Sequence, residues 1–269
     1  MATDPILKRV TGRTKVMFIL GDPVAHIIGT AILNEDFFRH GVDATVSPLH
    51  VAPADLGTVL GAIRAMRNVA GFGVTIPHKI EVIRHLDGTT PRATGIGAVN
   101  FVRRNPDGTL LGDNVDGIGF VAGLSRNEVE VAGRRVLQIG AGGAGRAIAF
   151  ALAEAGASHI AFANRTAGKA RALAEAVTAA YPGCGTSLSA PDTAGFDLVV
   201  NTTSVGMQEG DALPADLSRL GASAVVADVI MAPETTPLLA EAARRGCHII
   251  RGKEMLLDQP RLVREFLSL

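Results

Sequence analysis

The chain has 269 residues, 47% of them hydrophobic and 19% charged, and its 26 Lys and Arg balance 26 Asp and Glu. That length builds one large or two modest cores, and zero formal net charge provides no basic surface for nucleic acid or anionic membrane. Cys184 and Cys247 alone make neither a disulfide framework nor a metal cluster, the seven histidines have no paired-ligand spacing, and with no apolar signal segment or membrane-length apolar run the expectation is a metal-free cytoplasmic protein.

Strand-like and helix-like segments alternate along the chain, which predicts α/β architecture with mainly parallel sheets. Residues 16–20 read as a strand, 31–39 as a helix, 44–49 as a strand, 53–66 as a helix, and a further strand enters Gly73-Val74-Thr75. Segments 98–103 and 109–111 flank Asn105-Pro106-Asp107-Gly108 and read as a hairpin, since Asp-Gly favours a tight turn. A helix over 117–124 leads to the run Val136-Leu137-Gln138-Ile139-Gly140-Ala141-Gly142-Gly143-Ala144-Gly145. Beyond Lys169 come a helix, strands at 198–200 and 224–227, a helix over 237–245, a strand at 248–250 and a closing stretch, 255–269, of helical period. Residues 182–194 are the most loop-like part, and no internal repeat is present.

An apolar run that breaks into G-x-G-x-x-G and then turns Ala-rich describes a strand, a tight turn and a helix whose first N–H groups point at a dinucleotide pyrophosphate. A second strand, 160–163, follows at the spacing of a βαβ unit. After it, where an acid would suit a free ribose, stand Asn164-Arg165-Thr166 and then Lys169. Cations there suit a 2′-phosphate, so the expected cofactor is NADP; the plainer reading is that Arg165 and Lys169 are solvated charges at a helix start.

Three further runs put polar groups on loop positions at strand ends: Gly73-Val74-Thr75-Ile76-Pro77-His78-Lys79, Gly97-Ala98-Val99-Asn100 and Gly112-Asp113-Asn114-Val115-Asp116-Gly117. Ligands of open α/β sheets bind at such ends. A Lys paired with an Asp can take and relay the hydroxyl proton of an alcohol while hydride leaves for a nicotinamide. Taken singly, Lys79 could be a solvated lysine, Asp116 a helix N-cap and Asn100 a turn residue.

With these runs in view, the chain resembles the shikimate dehydrogenase family over nearly its whole length. Gly21-Asp22-Pro23-Val24-Ala25-His26 is similar to the family's G-x-P-x-x-H, and the three runs above to its V-T-x-P-x-K, G-A-x-N and G-D-N-x-D-G. The glycine loop, Asn164-Arg165-Thr166, Asn201-Thr202-Thr203-Ser204 and Gly252-Lys253-Glu254-Met255-Leu256-Leu257-Asp258-Gln259 continue the series in the family's order. The resemblance implies a substrate lobe over 1–115, completed by a returning C-terminal helix at 254–269, and an NADP-binding Rossmann-type doubly wound parallel sheet over 116–253. It implies Lys79 and Asp116 as the catalytic pair, with Thr75, Asn100 and Gln259 on the hydroxyls of a cyclic polyol. Gly140, Gly142, Gly143, Ala144 and Gly145 would take the pyrophosphate and Asn164, Arg165, Thr166 and Lys169 the 2′-phosphoadenosine end, with Thr202, Ser204 and Met255 also on the cofactor side. A monomer or homodimer acting on a small molecule, in aromatic amino acid biosynthesis, is the corresponding expectation.

The family usually reads S-x-S-P after the opening motif and binds the substrate carboxylate through the two hydroxyls; this chain has Ile27, Ile28, Gly29 and Thr30. The Asn before V-T-x-P-x-K is Gly73, and the Tyr of D-x-x-Y-x-P is Met231. Three accounts follow: Thr30 replaces one serine, a cation such as Arg13 or Lys15 is recruited, or the substrate, which Ile27 and Gly29 would meet, is a related ring polyol with a smaller or less polar substituent suited to a pocket lined by Ile27, Gly73 and Met231. The leading function is an NADP-dependent dehydrogenase for shikimate or a close analogue, quinate or a polyol without the carboxylate included. The alternatives are a non-catalytic NADP and metabolite sensor, and an oxidoreductase for an unrelated carbonyl.

Overall fold

A computed structural model of the chain describes residues 10–25 and 27–269. In chain order its elements are β1 (Lys15–Gly21), α1 (Gly29–Arg39), β2 (Ala44–His50), a 3-10 turn (Pro53–Asp55), α2 (Leu56–Ala65), β3 (Val69–Val74), a 3-10 turn (Glu81–His85), β4 (Gly88–Thr89), α3 (Pro91–Ile96), β5 (Phe101–Arg104), β6 (Leu110–Asp113) and α4 (Asp116–Arg126). Then follow β7 (Arg135–Ile139), α5 (Gly143–Glu154), β8 (His159–Ala163), α6 (Ala167–Ala180), β9 (Gly185–Leu188), β10 (Leu198–Asn201), β11 (Val225–Asp228), α7 (Pro237–Arg244), β12 (His248–Ile250), a 3-10 turn (Gly252–Leu256) and α8 (Gln259–Leu267). They form two compact units, one ending at Val115 and taking in Gln259–Leu269, the other spanning Asp116–Asp258. No helix among the described residues is long and apolar enough to cross a membrane.

The first unit is a mixed six-stranded sheet in the order β2-β1-β3-β5-β6-β4, in which β2, β1 and β3 are parallel and β5 runs antiparallel to both β3 and β6. The two-residue period of a strand sends Met17 and Ile19 to one face and Leu20 joins the core on the other. Met17 and Ile19 pack with Leu33 and Phe37 of α1, while Leu20 packs with Leu56, Leu60 and Ile63 of α2 and with Phe72. The last helix returns to this unit because Val263 and Leu267, four residues apart on one helical face, complete the Met17 cluster. Arg264 Nε donates to Asp36 Oδ2 at 2.6 Å, and a Cβ on Gly71 would lie 2.7 Å from Leu267 Cδ2. Glycine at 71 is required first by β5, since a Cβ there would also fall 2.3 Å from the Val102 carbonyl oxygen, and it leaves room for Leu267 besides.

The second unit is an all-parallel sheet in the order β12-β11-β10-β7-β8-β9. Read from the other edge this is the 3-2-1-4-5-6 order of dinucleotide-binding sheets. Its four central strands, β7, β8, β10 and β11, are buried along nearly their whole length and carry mostly apolar side chains, as strands covered on both faces require. Helix α4 seats on α5 at Gly117, where a Cβ would fall 2.3 Å from the carbonyl oxygen of Ala147.

Three expectations need correction. Residues 182–194 contain β9, which adds to β8 through parallel backbone pairing; its residues, Gly185-Thr186-Ser187-Leu188, are exposed or half-buried and carry no apolar pattern. Segment 53–66 opens with a 3-10 turn before α2 begins. The closing segment is not one helix: it breaks at Leu257 and Asp258, because Pro260 has no N–H to extend a preceding helix and instead opens α8.

Asp228, at the end of β11 and 1% exposed, accepts from Asn201 Nδ2, Thr236 Oγ1 and the Ile230 N–H, yet burial dominates and pushes its carboxyl up to about 6. The folded state thus holds this proton more tightly than the unfolded chain. The stability gained from the group is complete near pH 4 and is lost as pH rises through about 6, in all about 3 kcal/mol. In urea unfolding, the free-energy difference between wild type and Asp228→Asn is expected to change by that amount between pH 4 and pH 7. A difference flat across that range would refute the assignment.

Candidate functional site

In the first unit, β1 and β3 end at one sheet edge, where the Thr75 N–H donates to the Leu20 carbonyl at 2.8 Å. The chain then turns, with the His78 N–H donating to the Thr75 carbonyl at 2.8 Å. The buried His78 ring places Nε2 2.8 Å from the Val51 carbonyl; since a carbonyl only accepts, Nε2 carries the proton. That bond pins the turn from which Lys79 departs. Lys79 is half-buried, and its carbonyl accepts from the Val99 N–H at 2.8 Å.

Asn100 reaches the same edge because β5 is antiparallel to β3. It is 4% exposed, its carbonyl accepts from the Val74 N–H at 2.8 Å and its N–H donates to the Asp113 carbonyl at 3.0 Å. Its Oδ1 accepts from the Val115 N–H at 3.0 Å, so the side chain is oriented with Nδ2 as its donor end. Behind it, buried Asp113 accepts from Thr90 Oγ1 at 2.6 Å, from the Arg92 guanidinium and from the Asn114 N–H at 2.8 Å. Asn114 Nδ2 donates to the Ala98 carbonyl at 3.0 Å. The residue pattern names Asp113 and Asn114 without a role for either; a carboxylate closing the buried strand β6, with an amide just beyond it, was the available signal.

Ile27 packs on the apolar cluster that includes Met17, Ile19, Phe101 and Val115. Gly29 opens α1, and a Cβ there would lie 3.5 Å from Ile19 Cδ1. At Gly73 a Cβ would come 3.1 Å from the Phe101 ring, so that ring fills the room a side chain at 73 needs. Gln259 is buried at the start of α8, one turn before Val263 of the same cluster. Thr75, Lys79 and Asn100 thus share one sheet edge, while Ile27, Gly29 and the helix of Gln259 meet one apolar cluster. His26 lies outside the described residues.

In the second unit, Gly140 follows β7 with φ +108°, a conformation open to glycine, and a Cβ there would fall 2.5 Å from Thr202 Oγ1. Thr202 sits this close because its N–H and its hydroxyl both donate to the Ile139 carbonyl, at 2.7 and 2.8 Å. Helix α5 has Gly142 as its N-cap with no capping side chain, and a Cβ on Gly142 would meet nothing within 4 Å. Uncapped first-turn N–H groups, the positive end of a helix dipole and an open approach fit a pyrophosphate. Gly143 and Ala144 form the half-buried first turn, and Gly145 is buried against Thr202.

Asn164 braces this turn: its Oδ1 accepts from the Ala141 N–H at 3.2 Å and its Nδ2 donates to the Thr166 carbonyl at 2.9 Å. Arg165, Thr166 and Lys169 are exposed at the start of α6, whose first turn has no carboxylate. Ser204 is exposed beyond β10. Asp116 is 4% exposed as the first residue of α4. Met255 is buried in the 3-10 turn Gly252–Leu256, which packs on α4 at Gly123, where a Cβ would come 3.0 Å from Glu254. Among the described residues no cluster of three or more His, Cys, Asp or Glu could hold a metal.

A family model described as the shikimate dehydrogenase substrate binding domain matches residues 19–102, and one described as shikimate / quinate 5-dehydrogenase matches residues 123–204. The shikimate dehydrogenase (NADP(+)) of Geobacter metallireducens is 42% identical over 258 residues, covering 93% of this chain and 90% of the relative. The chain belongs to the shikimate dehydrogenase family. It is an oxidoreductase of the shikimate dehydrogenase type and uses NADP. Among solved structures, a shikimate dehydrogenase in complex with NADP+ matches with a TM-score of 0.88 at 33% identity, over 96% of this chain and 91% of that one. The ligand-free 5-ketofructose reductase of Gluconobacter sp. strain CHM43 matches with a TM-score of 0.83 at 34% identity, over 96% and 94%.

Proposed function

We propose that this shikimate dehydrogenase-family enzyme interconverts a secondary alcohol and a ketone of a cyclic polyol, and that the polyol carries a smaller or less polar group where shikimate carries its carboxylate. Lys79 and Asp116 are the catalytic pair. In the oxidising direction the alcohol loses its C–H as hydride and its O–H proton to the Lys79 amine, with Asp116 sharing and relaying that proton, and the carbon is left as a carbonyl. Bound NADP supplies the hydride acceptor, and its reduced form the donor. Thr75, Asn100 and Gln259 hydrogen-bond the substrate hydroxyls. Gly140, Gly142, Gly143, Ala144 and Gly145 hold the pyrophosphate, Arg165, Thr166 and Lys169 the 2′-phosphate end, and Asn164 keeps the turn in shape, while Thr202, Ser204 and Met255 line the cofactor side.

The substrate reading rests on Ile27, which lies against Ile19, Phe101 and Val115 where the family's first serine stands. A carboxylate left there without donors would lose about 1–3 kcal/mol for each missing hydrogen bond. Two such losses weaken binding by roughly a hundredfold. The likeness to a protein named for 5-ketofructose, a sugar ketone, supports the same reading.

The test follows NADPH oxidation with 3-dehydroshikimate, 3-dehydroquinate and 5-ketofructose, and NADP reduction with their alcohols. A carboxylate-free polyol is expected to give a kcat/KM about a hundredfold above that of the shikimate pair. Preference for the shikimate pair would end the reading of a less polar substituent alone; silence with every polyol would end the cyclic-polyol reading.

A further inference from the structure

Gln138 lies in β7, between Val200 of β10 and Phe162 of β8, in the middle of the second sheet. It is completely buried, and its neighbours along the strand, Val136, Leu137 and Ile139, are apolar. Its Nε2 donates to two carbonyls, Gly140 at 3.0 Å and Gly145 at 2.9 Å. Its Oε1 has no hydrogen-bond partner. Both oxygens facing Nε2 are obligate acceptors, so the amide cannot be turned round to relieve Oε1.

A buried acceptor without a donor destabilises a fold; an aliphatic side chain would remove that acceptor, at the cost of the donor shared by the Gly140 and Gly145 carbonyls. What the amide supplies is geometric. Gly140 opens the glycine turn and Gly145 lies in the first turn of α5; one NH2 group joined to both carbonyls ties the two ends of the turn together. With those carbonyls held on one donor and the Ala141 N–H taken by Asn164, the first N–H groups of α5 are the ones left for a phosphate. The close contacts agree, since a Cβ on Gly145 would fall 2.8 Å from the Gly140 carbonyl oxygen and 3.2 Å from Gln138 Nε2.

We infer that Gln138 is a positioning residue for the cofactor, a buried clamp that sets the shape of the pyrophosphate turn without touching the pyrophosphate. The inference rests on the assignment of that turn to NADP, which wild-type binding tests separately. Gln138→Leu and Gln138→Met keep similar volume and remove both the clamp and the orphan oxygen. Calorimetric titration with NADPH is expected to show about tenfold weaker binding in each variant, and steady-state assays a matching rise in KM for NADPH with KM for the polyol unchanged. Thermal unfolding without cofactor is expected to stay cooperative in both variants, since removal of the orphan oxygen offsets loss of the donor shared by the two carbonyls. Equal NADPH affinity in wild type and variants would overturn the inference, as would loss of cooperative unfolding in both, which would make Gln138 a structural residue only. Absence of NADPH binding by the wild-type protein would instead overturn the cofactor assignment.

Discussion

Lys79→Ala is expected to lower kcat by about 10²- to 10⁴-fold, the range that a positioned proton-transfer group contributes, while NADPH affinity changes less than about threefold. The specificity follows from placement. Lys79 stands on a turn of the first unit pinned by the His78–Val51 hydrogen bond, and the glycine turn lies in the second unit. Measuring both quantities on one preparation separates loss of the chemical step from loss of cofactor binding. Turnover equal to wild type in Lys79→Ala would remove Lys79 from the reaction and leave another group to take the proton.

Removing the cations at the start of α6 should produce the second large effect. In Arg165→Ala combined with Lys169→Ala, the ratio of kcat/KM for NADP to that for NAD is expected to fall by about 10- to 150-fold, through NADP alone. That range corresponds to loss of about 1.5–3 kcal/mol for hydrogen bonds to a charged group. Both side chains are exposed and no carboxylate occupies the first turn of α6. Two cations at the positive end of a helix are unfavourably placed until an anion joins them. An unchanged ratio would return both residues to the plainer reading of solvated charges.

Legibility differed sharply between the two units. The second was readable from Val136 to Lys169 because a parallel strand, a glycine turn and a helix start each impose local chemistry: apolar side chains on both faces, φ values open to glycine, and no capping side chain. Strand β9 was unreadable because its order comes from backbone pairing with β8. Helix α3 was missed although Thr90, Pro91 and Gly97 are its N-cap, first-turn proline and left-handed C-cap; at six residues it left too short an apolar period to stand out.

For the candidate site, residue types and spacings gave Thr75, Lys79, Asn100 and Asp116 by resemblance, but not what holds them. Asp113, Asn114 and His78 act through partners 16 to 27 residues away in the chain, and no local pattern reports such bonds. Gln138 shows the same limit from the other side. It stood in plain view as a polar residue inside an apolar run, and only its contacts with Gly140 and Gly145 supply a reason.

The amino-acid sequence by itself determined the class of fold, the cofactor turn and the family, because these depend on interactions between residues close in the chain. Tertiary structure alone decided that Val263 and Leu267 are the residues through which the returning α8 completes the first unit, that Ile27 faces an apolar cluster, and that one buried amide ties the cofactor turn. Each of these joins residues from different elements, and packing and hydrogen bonding between such residues take their energy from proximity that only the folded chain creates.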